Sequence, residues 1–481
     1  MKDKLKVALE HAENLGASYA DIRFIQRNTQ NLSTKNGKVN TCSQGASTGI
    51  GIRVLFQGAW GFAGTSKCDL KSIRQITERA VQMARASSRV KVLDVMLSKV
   101  PTVRDTFATP YKIDPFKIPI EDKVQLLLSC DEIMAQQKKI KVRIGNFSAF
   151  CEEKEFLSTE GSEIKQKILW CGAGISAVAS EGTENQIRSY PASFGGDYST
   201  RGYEFVEAME LEKHAQRIAK EAVDLLTAPQ CPHKKGDFIL GGSQLALQIH
   251  ESCGHPIELD RVLGMEASFA GTSFLTPEKR SEFQYGSENV NIVGDSTCPG
   301  GLGTFGYDDE GVPAQKFDIV KEGIFKNYLM SRETAVLFEE ESNGTVRADG
   351  WERIPMIRMT NINLEPGDWD IDELIKDTEE GIMFDTTRSW SIDQQRLNFQ
   401  FGCEIGYKIK DGAIEGIYKN PTYTGITYDF WRACDAVTNR DDWKMWGVAN
   451  CGKGEPMQVM YVGHGCPTAR FRNVQMGVGE W

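Results

Sequence analysis

Two histidines and a glutamate stand close together in the run Leu245-Ala246-Leu247-Gln248-Ile249-His250-Glu251-Ser252-Cys253-Gly254-His255-Pro256. Imidazole nitrogens bind zinc and related ions, and a carboxylate beside such an ion can move the protons of a hydrolysis. The pattern is H-E-x-x-x-H, one residue longer than H-E-x-x-H, in which both histidines share a helical face. Four residues at ~100° each leave two side chains roughly 40° apart, whereas five leave them roughly 140° apart on an unbroken α-helix, too far to share an ion. The longer spacing therefore requires the helix to break before His255. Gly254 offers that break, because glycine adopts the left-handed conformation that ends a helix in a sharp turn, and Pro256 prevents the helix from resuming.

A catalytic zinc site uses three protein ligands and keeps one position for water. Cys253 and Glu258 are local candidates for the third ligand. Cys451, in Ala449-Asn450-Cys451-Gly452-Lys453-Gly454, is a distant one whose glycine neighbours permit close backbone approach. Spacing alone does not choose among the three. The competing reading is a helix end that carries two surface histidines, although two of only six histidines falling so close together is unusual.

The elements that must position these groups are legible in outline. Asp237-Phe238-Ile239-Leu240 reads as a strand, and Ser243 can cap a helix starting at about Gln244, so the chemistry sits on a helix facing a sheet. Upstream, residues 3–15, 70–87, 120–138 and 205–227 carry helical apolar spacing, the last ending at Ala228-Pro229. Asn36-Gly37 and Gln57-Gly58 are hairpin turns, and 140–195 alternates like strands. Downstream, Lys321-Glu322-Gly323 and Asp411-Gly412 separate further short strands, and Asp370 can cap a helix running through Glu380 with Gly381 as its stop. These patterns predict an α+β chain. An N-terminal region, 1–229, has helices packed on antiparallel sheets and a possible break into two subdomains near 110. A β-rich, barrel-like domain, 230–481, carries the metal-site helix.

A chain of 481 residues with 40% hydrophobic and 25% charged residues is a globular protein of two or three domains. A net charge of -10 disfavours direct binding to DNA or RNA. The start, Met1-Lys2-Asp3-Lys4, does not read as an export leader, and nothing approaches the ~20 apolar residues of a membrane span, so the expectation is a cytoplasmic protein. The 12 cysteines are scattered without a CxxC pair. In a reducing compartment most are buried small hydrophobes, and at most one or two do chemistry.

With these residues in view, the chain resembles the TldD/PmbA family of peptidases, historically also labelled modulators of DNA gyrase, and within it the TldD-type branch that carries the metal motif. The resemblance covers nearly the whole chain. It runs from the helix ending at Ala228-Pro229 through His250–His255, Gly303-Thr304-Phe305-Gly306-Tyr307-Asp308-Asp309-Glu310-Gly311-Val312-Pro313 and Ile357-Arg358-Met359-Thr360-Asn361 to Cys451-Gly452-Lys453. It implies one metal ion, zinc, held by His250, His255 and Cys451, with Glu251 as the catalytic glutamate. The position of Cys253 is commonly apolar in the family, so it is not implied as a ligand. Similarity is loose through 1–200, and Trp390-Ser391-Ile392-Asp393 stands where a more glycine-rich stretch is expected. His464, in Gly463-His464-Gly465, has no family counterpart and reads as a surface histidine.

The implied reaction is zinc-assisted peptide hydrolysis with Glu251 as general base. Small or unfolded peptides are the expected substrates, taken up in extended form along a strand edge. Asp308, Asp309 and Arg358 are candidates for contacts to substrate or to the metal ligands, against the plainer reading of turn or surface charges. The family also implies a homodimer, or a heterodimer with a related metal-free subunit. Three other readings compete: a non-catalytic partner of the same fold, an interaction module with a structural metal, and a gyrase-binding regulator.

Overall fold

Four two-residue turns set strand pairing in both halves of the chain. Asn36-Gly37, Gln57-Gly58, Glu322-Gly323 and Asp411-Gly412 each have positive φ at both residues. This is the type I′ geometry whose twist matches antiparallel strands. The structure is a computed structural model, described here for residues 1–477.

One eight-stranded sheet runs through the N-terminal region. Strand Tyr19–Lys35 pairs with Lys38–Phe56 on one side and with Ile140–Ser158 on the other. Ile140–Ser158 then pairs with Glu163–Glu181. The sheet is antiparallel except at Arg104–Ala108, which lies parallel to the start of Glu163–Glu181. Helices Lys2–Asn14 and Leu70–Ser87 cover one part of it through Leu5, Leu9, Ile73 and Val81, packed on Ile22, Ile50 and Ile52. Helices Ile120–Ala135 and Leu211–Leu225 cover another, through Leu127, Met134, Ile218 and Ala219. In Leu70–Ser87, Asp69 caps the N-terminus, accepting the Ser72 N–H at 2.9 Å.

The C-terminal region is built on a closed five-stranded barrel. Its strands Glu380–Ile392, Lys234–Leu240, Ala469–Met476, Thr422–Ile426 and Asn398–Lys410 pair in that order, and the last returns to the first. Closure removes exposed strand edges. The core is aromatic: Phe238, Phe384, Phe399, Tyr423, Phe430 and Phe471 are all buried. Beside the barrel, a two-stranded hairpin of Lys444–Lys453 and Gln458–Cys466 reaches toward the N-terminal sheet.

The expected elements shift in three places. The 205–227 helix is two helices, Glu204–Ala208 and Leu211–Leu225, separated where Glu210 takes a left-handed φ of 48°. The helix capped by Asp370 spans only Ile371–Lys376, and Gly381 lies inside the next strand, close against Asp237. Ser243 does not cap: the N-cap is Gly241, and the Ser243 hydroxyl donates instead to Asp385 Oδ1 at 3.0 Å.

Candidate metal centre

The barrel strand Lys234–Leu240 feeds directly into helix Gly242–Ile249, buried through Leu245, Ala246 and Ile249. The chain then forms one π turn over His250–Gly254, and the His255 N–H donates to the His250 carbonyl at 3.2 Å. An i→i+5 bond places His255 over His250 much as i+4 lies over i in an α-helix. The longer histidine spacing is thus met by widening the helix rather than by breaking it. Gly254 is not left-handed, and His255 continues at φ -69°, ψ -41°. The expected reversal at Gly254 does not occur. Glycine is needed there for space, since a Cβ would lie 2.2 Å from Met359 Sδ. Two aromatic donors pin the turn: Tyr285 Oη to the Ser252 carbonyl at 2.9 Å, and Trp431 Nε1 to the Ser252 hydroxyl at 3.0 Å.

His250, His255 and Cys451 offer ligand atoms that all lie within 4.8 Å of one another, and all three residues are buried. The two imidazole rings are perpendicular, with centroids 4.9 Å apart. Cys451 Sγ is 3.9 Å from His255 Nε2. Cys451 comes from the hairpin strand Lys444–Lys453, just past an irregularity between Val448 and Cys451 that re-aims the strand. Arg358 is fully buried behind it and donates to the carbonyls of Cys451 at 2.5 Å and Gln458 at 3.0 Å, clipping both strands of the hairpin. Burial pushes the Cys451 thiol up, the Arg358 guanidinium pulls it down, and the net direction is down, toward the thiolate that binds metals.

Contacts behind the histidines fix which nitrogen faces the centre. His464 is buried, not on the surface as the sequence suggests. Its Nδ1 donates to the Ile362 carbonyl at 3.0 Å, because a carbonyl only accepts. Burial holds the His464 and His250 rings below their ordinary pKa, so both are neutral. The His464 Nε2 lone pair therefore accepts the His250 Nδ1–H at 2.8 Å, leaving His250 Nε2 as a free donor atom. His255 Nδ1 likewise donates to Glu258 Oε2 at 3.0 Å, freeing its Nε2. Glu258 thus supports a candidate ligand instead of being one. Cys253 faces the apolar core, where burial pushes its thiol up to about 12. Two neutral imidazoles and an acidified thiol, buried and convergent, are a donor set that fits a divalent metal ion.

Glu251 faces a cavity of about 450 Å³ shared with His250, His255 and Cys451. Its carboxylate is paired with Arg396, which projects from the turn between strands Glu380–Ile392 and Asn398–Lys410 at φ 63°. Sequence reasoning did not single out Arg396, since nothing local ties it to a motif 145 residues away. His464 had a local sign: its glycine neighbours pack without room for a Cβ, 2.3 Å from Asn361 Oδ1 at Gly463 and 1.9 Å from Trp443 at Gly465. Asp308 and Asp309 do not line this cavity. Asp308 accepts backbone N–H groups of Glu310, Val312 and Val346 and shapes its own turn. Asp309 accepts from Lys154 at 2.7 Å and the Ala348 N–H at 2.8 Å, joining the two halves of the chain.

A buried His/His/Cys cluster beside a barrel, with a glutamate facing the same cavity, is the arrangement a metal-dependent hydrolase needs. Comparison with known proteins makes the assignment particular. Three family models match in order: PmbA/TldA metallopeptidase domain 1 over residues 20–84, the central domain over 113–228 and the C-terminal domain over 233–478. This chain belongs to the PmbA/TldA metallopeptidase family, the TldD/PmbA family that its motifs resemble. A metalloprotease of Methanocaldococcus jannaschii is 32% identical over 448 residues, 93% of this chain and 95% of that one. A zinc metalloprotease TldD homolog of Saccharolobus solfataricus is 24% identical and covers 98% of both chains. The structure of TldE from Thermococcus kodakarensis superposes with a TM-score of 0.74 at 17% identity, over 99% of this chain and 100% of that one, a likeness of fold. Among the described residues, no helix is long and apolar enough to cross a membrane.

Proposed function

We propose that this metallopeptidase is zinc-dependent, with His250, His255 and Cys451 as the ligands and Glu251 as the general base, and that it cleaves small or unfolded peptides. The observation that carries the reading is the convergence of three donor atoms within 4.8 Å at a cavity that Glu251 also faces. When bound, zinc supplies Lewis acidity, which acidifies water and polarises the scissile carbonyl. Glu251 receives the proton of the attacking water on its carboxylate and passes it to the leaving amine. Arg396 keeps that carboxylate on the cavity side. His464 and Glu258 hold the two imidazoles in the tautomer that binds metal.

The substrate is taken to lie extended along Lys444–Lys453. That strand pairs only with Gln458–Cys466 among the described residues, and Gly447, Val448, Ala449 and Asn450 line the cavity. An added strand gains affinity from backbone hydrogen bonds with little demand on sequence. Pairing with a second subunit, of this chain or of a related metal-free one, completes the reading. Its support is strand Lys38–Phe56, where residues 38–48 are exposed and, among the described residues, one strand edge there is unpaired. A cytoplasmic setting fits the 12 free cysteines.

Metal analysis of the purified protein, alongside peptide cleavage with and without chelator, tests the proposal. The expected result is about one zinc per chain and cleavage that a chelator abolishes and zinc restores. Cleavage indifferent to chelator would sink the zinc-dependent reading.

A further inference from the structure

Trp390 opens the stretch that departs from the glycine-rich expectation, and the metal chemistry above does not use it. It is 44% exposed, and Phe194 is 57% exposed. Both rings line the cavity that holds His250 and Glu251, and they meet edge-to-face with centroids 5.3 Å apart. They arrive from different elements. Trp390 stands in barrel strand Glu380–Ile392, opposite Phe401. Phe194 stands in the loop between strands Glu184–Tyr190 and Asp197–Ser199 of the N-terminal sheet.

The loop displays Phe194 at a conformational cost. Phe194 has φ 56°, in a region that bulky side chains rarely occupy. Gly195 and Gly196 follow at φ 101° and 114°, and a Cβ on Gly196 would lie 1.9 Å from the Ala173 carbonyl oxygen. Strained backbone of this kind clusters at ligand clamps and switch regions. Nearby walls are apolar: Ala192, Leu247, Trp446 and Val448. The carboxylate and guanidinium of the cavity, Glu251 and Arg396, are spent on each other. A further cation, Lys444, lies over the Trp446 ring at 4.0 Å and is itself paired with Asp197 at 3.0 Å.

We propose that Phe194 and Trp390 form a clamp for one uncharged aromatic or large aliphatic side chain of the substrate, close to the scissile bond. The proposal rests on the peptidase reading and adds the substrate class. Two large rings kept in water at a cavity mouth gain most when an apolar side chain covers them. A carboxylate there would lose its water against ring faces that carry negative charge.

The test compares kcat/KM for two blocked peptide series, identical except that one carries Phe or Leu and the other Ala or Asp at the residues flanking the cleaved bond. Zinc-loaded wild type is expected to favour the apolar series by ~10–200-fold, the discrimination apolar pockets supply. In Trp390→Ala, and separately in Phe194→Ala, the ratio between the series should fall at least tenfold, and Trp390→Phe should restore much of it. Cleavage of both series at equal rates by wild type, or an unchanged ratio in both alanine variants, overturns the clamp and leaves the peptidase reading standing. Failure of wild type to cut either series overturns the peptidase reading, and the clamp falls with it.

Discussion

His464 Nε2 lies 2.8 Å from His250 Nδ1, and His464 Nδ1 in turn lies 3.0 Å from the Ile362 carbonyl oxygen. The relay is directional, because its last member can only accept. It ends by leaving His250 Nε2 unprotonated toward Cys451 and His255. An apolar substitution, His464→Leu, removes the acceptor and lets the His250 ring turn or change tautomer. Metal affinity is expected to fall ~10–100-fold, measured by competition with a chelator of known affinity. His464→Gln, whose amide oxygen can accept from Nδ1, should recover part of the loss. Equal affinities for all three proteins would remove His464 from this role.

Glu251 and Arg396 form a part-buried pair at the same cavity. Glu251→Gln keeps the shape of the side chain but cannot take a proton from water. The expected result is full metal content with kcat lowered by ~10²–10⁴, the usual weight of general base catalysis. Retained turnover would take the base role from Glu251.

Cys451 is the one candidate ligand that comes from outside the helix, and Arg358 holds its carbonyl at 2.5 Å. Cys451→Ser replaces an acidified thiol with a hydroxyl that stays protonated near neutral pH. Metal affinity should drop by more than the roughly 10–100-fold expected for an outer contact. Cys253→Ala should keep the metal, because that thiol faces the core. A Cys451→Ser protein that binds metal as wild type does would refute the ligand set.

What the sequence made legible follows from the range of the forces involved. Hairpins at Asn36-Gly37 and Asp411-Gly412 could be read because a φ > 0 pair is a demand on two adjacent residues. Helix Leu70–Ser87 could be read because its apolar positions repeat locally. The motif announced that two histidines five positions apart needed a special backbone, but two backbones satisfy that need. A left-handed break and a π turn both suit glycine at 254. The choice is made by Met359, Tyr285 and Trp431, which arrive from distant parts of the chain. Arg396 was hidden for the same reason, and the glycines beside His464 marked a close approach without saying to what: each residue reaches the site only through long-range packing.

Gly254 offers the sharpest test of that backbone. If its purpose were a left-handed turn, alanine would be strained by φ alone. The φ here is helical, and the obstacle is Met359, whose Sδ would sit 2.2 Å from a new Cβ. Gly254→Ala should therefore destabilise the protein by ~1–3 kcal/mol through overpacking and loosen the metal by tilting His255. The two accounts separate in the double variant. Met359→Ala vacates the space, so Gly254→Ala/Met359→Ala should be more stable than the sum of the single effects, with a coupling energy of ~0.5–3 kcal/mol in urea titrations. Additive single effects would mean that contact with Met359 is not what requires glycine at 254.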